Sequence, residues 1–285
     1  MTNTLALVLG GGGSVGIAWE VGVLAGLADA GVDATEASVI VGSSAGSVAG
    51  TQVRQGRSIE SLVDEQRTPS TDDRSDPPRP TDLSGLFEIF GMIREAEERT
   101  PALFREVGRR AIAADTLPES VWIGRFEHLG DEWPDGDLRV TAVDCATGQR
   151  RIWTAADGVP LCAAVASSCA IPGVFPPVSL DGTRFIDGGL WSSSNLDAVL
   201  DADVDRAIFI GPLRAGDPAA SRALAAEIGL LESEGVQTTS IVPGEAFATE
   251  IGAANLMNPT FRARGLALGI DDGTAAARRV QVLLA

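Results

Sequence analysis

The sequence predicts an α/β fold of three layers, α/β/α, around a mostly parallel central sheet, with one helical insertion. Two observations carry this expectation. Thr4–Leu9, Ser38–Val41 and Ala207–Ile210 are runs too short for helices and apolar nearly throughout, which suits strands buried on both faces. The segments between the early runs have helical spacing and are set off by glycine, so residues 4–55 read β-α-β-α. A chain of 285 residues that is 45% hydrophobic and 21% charged can bury one large core, and a single domain over 1–285 is expected.

The elements follow in order. Thr4–Leu9 is a strand that enters a run of glycines, and Ile17, Trp19, Val21, Val23, Leu24 and Leu27 then mark a helix stopped near Gly31. Ser38–Val41 is a second strand, broken at Gly42, with a helix of small residues from about Ala45. Thr68–Asp82 is polar, charged and rich in Pro, as an exposed loop would be. Leu83–Leu117 reads as helix in two pieces broken at Pro101, the first with an apolar face of Leu86, Phe87, Ile89, Phe90 and Ile93. Residues 68–117 are therefore either a lid or an insertion packed on the core. Leu138–Val143 is a strand to which Arg151–Trp153 can pair back, and Leu180–Phe185 centres on the hairpin signal Asp181-Gly182. A helix is expected over Pro218–Glu234.

The formal net charge of −17 argues against nucleic acid and against polybasic adhesion to anionic membranes, both of which need clustered cations, so a lipid would be met, transiently, through apolar surface. Cys145, Cys162 and Cys169 form no CxxC and read as buried, reduced thiols. The start, Met1-Thr2-Asn3-Thr4, has no cationic region before its apolar run, and no run is long enough to span a bilayer; a cytoplasmic location is expected. Oligomeric state is not legible.

Three short motifs carry chemistry. Gly10–Gly16, between strand and helix, exposes backbone amides at a positive helix end, suited to a phosphate or to the oxyanion of acyl transfer. Gly11, Gly13 and Gly16 also satisfy GxGxxG, but the next strand ends in Val41-Gly42-Ser43-Ser44 without the carboxylate a dinucleotide site wants. Gly42-Ser43-Ser44-Ala45-Gly46 is GxSxG between a strand and a helix, the context of a nucleophile elbow, with Ser44 as nucleophile and Ser43 and Ser47 in the wrong register. The one histidine, His128, lies in a surface-like segment and is not followed by another, so a late triad histidine is missing. Asp187 in Phe185-Ile186-Asp187-Gly188-Gly189 is the best carboxylate base, unless it only bonds its own turn.

Together these motifs resemble those of the patatin-like phospholipases, which share a GGGxxG loop, a GxSxG elbow and a DGG or DGA motif in that order. Here they are Gly11–Gly16, Gly42–Gly46 and Asp187–Gly189, and Ala166–Pro177 is similar to the family's Ser/Ala-rich stretch ending in PxxFPP. The resemblance covers residues 4–212, weakly through 57–135. It implies a Ser44–Asp187 dyad without histidine, an oxyanion hole of Gly11, Gly12 and Gly13 amides, and structural glycines at 16, 42, 46, 188 and 189. It implies phospholipid or neutral lipid esters as substrates, and no metal or cofactor. One position departs: the family commonly has Arg or Lys where this chain has Val15. Either a cation near the oxyanion is lost, weakening activity, or Val15 points into the core. A nucleotide-binding Rossmann-like protein, a thioesterase or small-ester hydrolase, and a weakly active family member are the competing readings.

Overall fold

A computed structural model describes residues 4–68, 84–96, 99–212 and 218–285. In chain order the first elements are β1 (Leu5–Leu9), α1 (Gly13–Asp29), β2 (Val39–Gly42), α2 (Ala45–Arg54), α3 (Ile59–Arg67), α4 (Ser84–Glu95), α5 (Pro101–Ala113) and α6 (Glu119–Gly124). Then come β3 (Asp137–Asp144), β4 (Arg150–Trp153), α7 (Leu161–Ser168), β5 (Val178–Leu180), β6 (Thr183–Asp187) and β7 (Arg206–Ile210). The chain closes with α8 (Pro218–Ser233), β8 (Gln237–Ile241), α9 (Glu245–Glu250) and α10 (Arg262–Leu284). The α/β class with a mostly parallel central sheet stands as expected. The polar run expected as a loop lies, beyond Thr68, outside the described residues, as do the side chains of Leu86, Phe87 and Phe90.

The chain divides into two compact units. The first comprises 1–71, 134–139 and 193–285 and holds four parallel strands in the order β2-β1-β7-β8. Leu9 aligns with Gly42 on one side and Ile210 on the other, so three strands end level and their following loops share one edge. Ligand sites of parallel sheets form at that carboxyl edge. β1 and β2 are buried throughout, as their unbroken apolar sequence requires.

Within this unit α1 is a central helix, buried from Val15 through Leu27 save Ile17. It lies against α10 along a seam of small residues so close that a Cβ on Gly22 or Gly26 would come within 2.3 Å of the backbone oxygens of Leu266 or Ile270. Beside the seam, Trp19 Nε1 donates to Asp272 at 2.8 Å.

The second unit, 72–133 and 140–192, is antiparallel: β3 pairs β4 and β6, and β6 pairs β5. Asp181 and Gly182, both with positive φ, make the tight turn between β5 and β6 that the sequence anticipates. Ile89 of α4 and Phe104, Val107 and Ala111 of α5 share a core with Val143, Ile186 and Leu190. Thr100 caps α5 by accepting from Leu103, with Pro101 at the first helical position, so the break foreseen at Pro101 is a new helix start.

Candidate active site

In the first unit, the chain leaves β2 at Gly42 and enters α2 at Ala45, and Ser44 makes the turn between them. Its backbone sits at φ 51, ψ −119, a conformation that a non-glycine residue holds only when its surroundings impose it. The surroundings are visible: Ser43 N donates to Leu9 O (3.0 Å), Gly46 N to Gly10 O (2.8 Å) and Ser47 Oγ to Ser44 O (2.6 Å). A Cβ on Gly46 would lie 2.2 Å from Leu9 O, and one on Gly42 2.5 Å from Gly46 O, so both flanking glycines are demanded by close approach. Ser44 is 8% exposed and stands at the positive end of α2.

The glycine loop runs beside it. A Cβ on Gly11 would be 3.3 Å from Ser44 Cβ and 3.9 Å from its Oγ. Gly12 is closed in by Pro212 and Gly13 by Met257, while Gly16 lets α1 approach Ala45. The structure thus brings Gly11 and Ser44 together. Val15 is fully buried: its side chain points toward Gly265 of α10, and its amide donates to Leu256 O at 3.0 Å. Of the two readings open for Val15, the core one is correct.

Asp187, in the second unit, ends β6 and is 5% exposed. Its amide donates to Ala170 O at 3.0 Å, so the Ser/Ala-rich stretch before PxxFPP anchors the acid. Asp187 Oδ1 accepts from Gly189 N at 2.8 Å, so the turn bond weighed against a catalytic reading is present. That bond also orients the carboxyl group. Gly188 fits only without a side chain, since a Cβ there would be 2.2 Å from Thr141 Oγ1 and 2.3 Å from its carbonyl oxygen.

His128 is exposed on a short turn, its Nδ1 3.0 Å from Arg125 O. Among the thiols, burial pushes Cys145 up to about 12, and burial with the Asp131 carboxylate pushes Cys162 up to about 12, so neither supplies a thiolate at neutral pH. Cys169 is half-buried, not buried as expected.

Sequence reasoning passed over three residues. Asn195, fully buried with φ 48, donates from Nδ2 to Ser43 Oγ at 2.9 Å and so braces the residue before Ser44. Arg99 donates to the carbonyls of Leu190 (3.3 Å) and Trp191 (3.2 Å), just beyond Asp187. Glu20 lies in the middle of α1, wholly buried. Of these, only Glu20 could have been noticed in the sequence, as an acid inside an otherwise apolar helix.

Residues 7–200 match the sequence profile described as patatin-like phospholipase. The chain belongs to that family. Family membership makes it, in general terms, a lipid acyl hydrolase. VipD from Legionella pneumophila is similar in fold, with a TM-score of 0.51 at 15% identity over 97% of this chain and 67% of VipD. The type III effector ExoU aligns with a TM-score of 0.38 at 14% identity, over 95% of this chain and 54% of ExoU. A search of curated proteins found no match. The patatin-like match spans β1 through Leu200 and so includes the glycine loop, the elbow and Asp187. Among the described residues, no helix is long and apolar enough to cross a membrane.

Proposed function

We propose that this chain cleaves carboxylic esters of lipids, as a phospholipase A or esterase, through a Ser44–Asp187 dyad and an oxyanion hole of Gly11, Gly12 and Gly13 amides. The backbone of Ser44 carries the reading: an imposed left-handed conformation at the centre of GxSxG, at the start of a helix and against Gly11. Such a turn presents a hydroxyl at the carboxyl edge of the sheet.

In this reading Asp187 accepts the Ser44 proton as Oγ attacks the ester carbonyl. The loop amides hold the oxyanion, the alcohol leaves with the proton returned by Asp187, and water releases the acyl group by the same steps reversed. One preorganised amide donor is worth about 3 kcal/mol of barrier. The proposed single catalytic domain is 1–285, with 68–117 either a lid or an insertion packed on the core. Phospholipids and neutral lipid esters are the proposed substrates, reached at a membrane or micelle through apolar surface, and the proposed compartment is the cytoplasm.

Labelling with a fluorophosphonate probe, followed by mapping of the modified residue, tests nucleophile and class together. Modification at Ser44, with Ser44→Ala losing on the order of 10⁶ in ester turnover, is the expected result. Turnover by Ser44→Ala within about tenfold of the parent would remove the assignment.

A further inference from the structure

Glu20 is 0% exposed, and neither carboxyl oxygen has a hydrogen-bond partner of good geometry. An ionised carboxylate so placed is costly, and burial holds this group well above the usual carboxylate range, eased only in part by the Gly10 amide. No charged group of the elements packed on α1 acts on it. Asp272 of α10 is bonded to Trp19, Arg262 of α10 to Gln66, and Arg54 of α2 to the carbonyls of Ala37 and Asp137. The acidic groups of α3 (Glu60, Asp64 and Glu65) are exposed.

Gly10 is where the glycine loop is tied down. Its amide donates to Ile210 O at 2.9 Å, and its carbonyl accepts from Gly46 N of the elbow at 2.8 Å. That carbonyl belongs to the same planar, trans peptide unit as the Gly11 amide, so the bond to Gly46 fixes the direction of Gly11 N–H. A neutral carboxyl beside Gly10 leaves the amide on Ile210. A carboxylate is the stronger acceptor and competes for it. It also places negative charge, in a dry region, under a loop meant to receive an oxyanion.

Resting on the proposed ester chemistry, we infer that the oxyanion loop keeps its form only while Glu20 is uncharged, and that ionisation of Glu20 disarms the loop. The inference concerns a residue outside the three motifs, behind the glycine loop, and gives the enzyme an alkaline limit set inside α1.

The test compares the full chain with Glu20→Gln, Glu20→Leu and Glu20→Asp from about pH 5 to about pH 10. The ratio of alkaline to neutral kcat should fall toward about tenfold per pH unit in the parent and in Glu20→Asp. It should stay flat in the two uncharged variants. Thermal melts provide a readout independent of activity. The native state keeps the Glu20 proton longer than the unfolded chain, so the parent should lose stability relative to Glu20→Gln as pH rises above the ordinary glutamate range. Over the same range, hydrogen exchange across 42–50 should accelerate in the parent alone, as the Gly46–Gly10 bond loosens.

Parallel kcat profiles for an active parent and Glu20→Gln would overturn the inference and leave the ester reading standing. A parent inactive and unlabelled at every pH would remove the ester reading instead. Melts and exchange would then decide Glu20: parallel behaviour overturns its role, and divergence in both upholds the coupling to Gly10. Diverging melts with unchanged exchange and parallel kcat would make Glu20 structural only, which also overturns it.

Discussion

Ser44 stands between a strand and a helix that are consecutive in the chain, and the backbone bonds that seat it come from Leu9, Gly10 and its own turn. Asp187 is seated differently. Its amide is held from Ala170, its following glycine lies on Thr141, and Ile186 and Leu190 around it share a core with Ile89 of α4 and Phe104 of α5. The segment of the proposed nucleophile is thus written into one β-α-β-α run, whereas that of the proposed base depends on packing gathered from across its unit. A damaged elbow should fail through its own glycines; a damaged acid turn can fail through a helix far away in sequence.

The largest effect that bears on this contrast is at the acid itself. Asp187→Asn keeps an oxygen to accept from Gly189 N and so preserves the turn, yet it cannot take a proton. Ester turnover should drop by ~10⁴ with an unchanged melt, while His128→Ala stays within about twofold. The opposite pattern in the two variants would refute the dyad. Next in size is Val15→Arg. The side chain faces Gly265 in the α1–α10 seam, so the variant buries an unpaired guanidinium. It should lose roughly 3–5 kcal/mol of stability by denaturant titration and gain no activity on phospholipid over an uncharged ester. A stable variant with a selective gain would show that the loop can present a cation after all.

The smallest effect tests the lid. α5 buries Phe104 and Val107 completely, whereas α4 contributes Ile89 and the partly buried Met92 and Ile93. If the segment opens, amides of 84–95 should exchange about tenfold faster than those of 101–113, a difference near 1.4 kcal/mol in local opening. Exchange in both as slow as in β1 would leave an insertion packed permanently on the core, and the acid turn would be as rigid as the elbow.

The same contrast explains what could be read from the sequence. β1, β2 and β7 announce themselves as apolar runs, and the β5–β6 hairpin as Asp181-Gly182. The candidate residues were legible through glycines that the backbone geometry requires: Gly42 and Gly46 on either side of Ser44, and Gly188 directly after Asp187. The C-terminal part was not. α10 meets α1 through Gly265, Gly269 and Gly273, residues that produce no apolar stripe, and β8 reads Gln-Thr-Thr-Ser-Ile with only its last residue buried. Asn195 was invisible for another reason: its meaning lies in a hydrogen bond spanning 152 positions, which no local pattern encodes. The direction of Val15 was likewise a tertiary fact, fixed by the helix that the pattern did not reveal.

The seam between α1 and α10 also sets a timetable. Trp19 and its partner Asp272 are 253 positions apart. At about 5–20 residues per second of synthesis, roughly 13–50 s pass between the appearance of one and the other. Throughout that interval the glycine face of α1 lacks the helix it lies against in the folded chain. The strand before Ser44 and its turn are made early, but a newborn chain can seat its glycine loop against α10 only once that helix has been made.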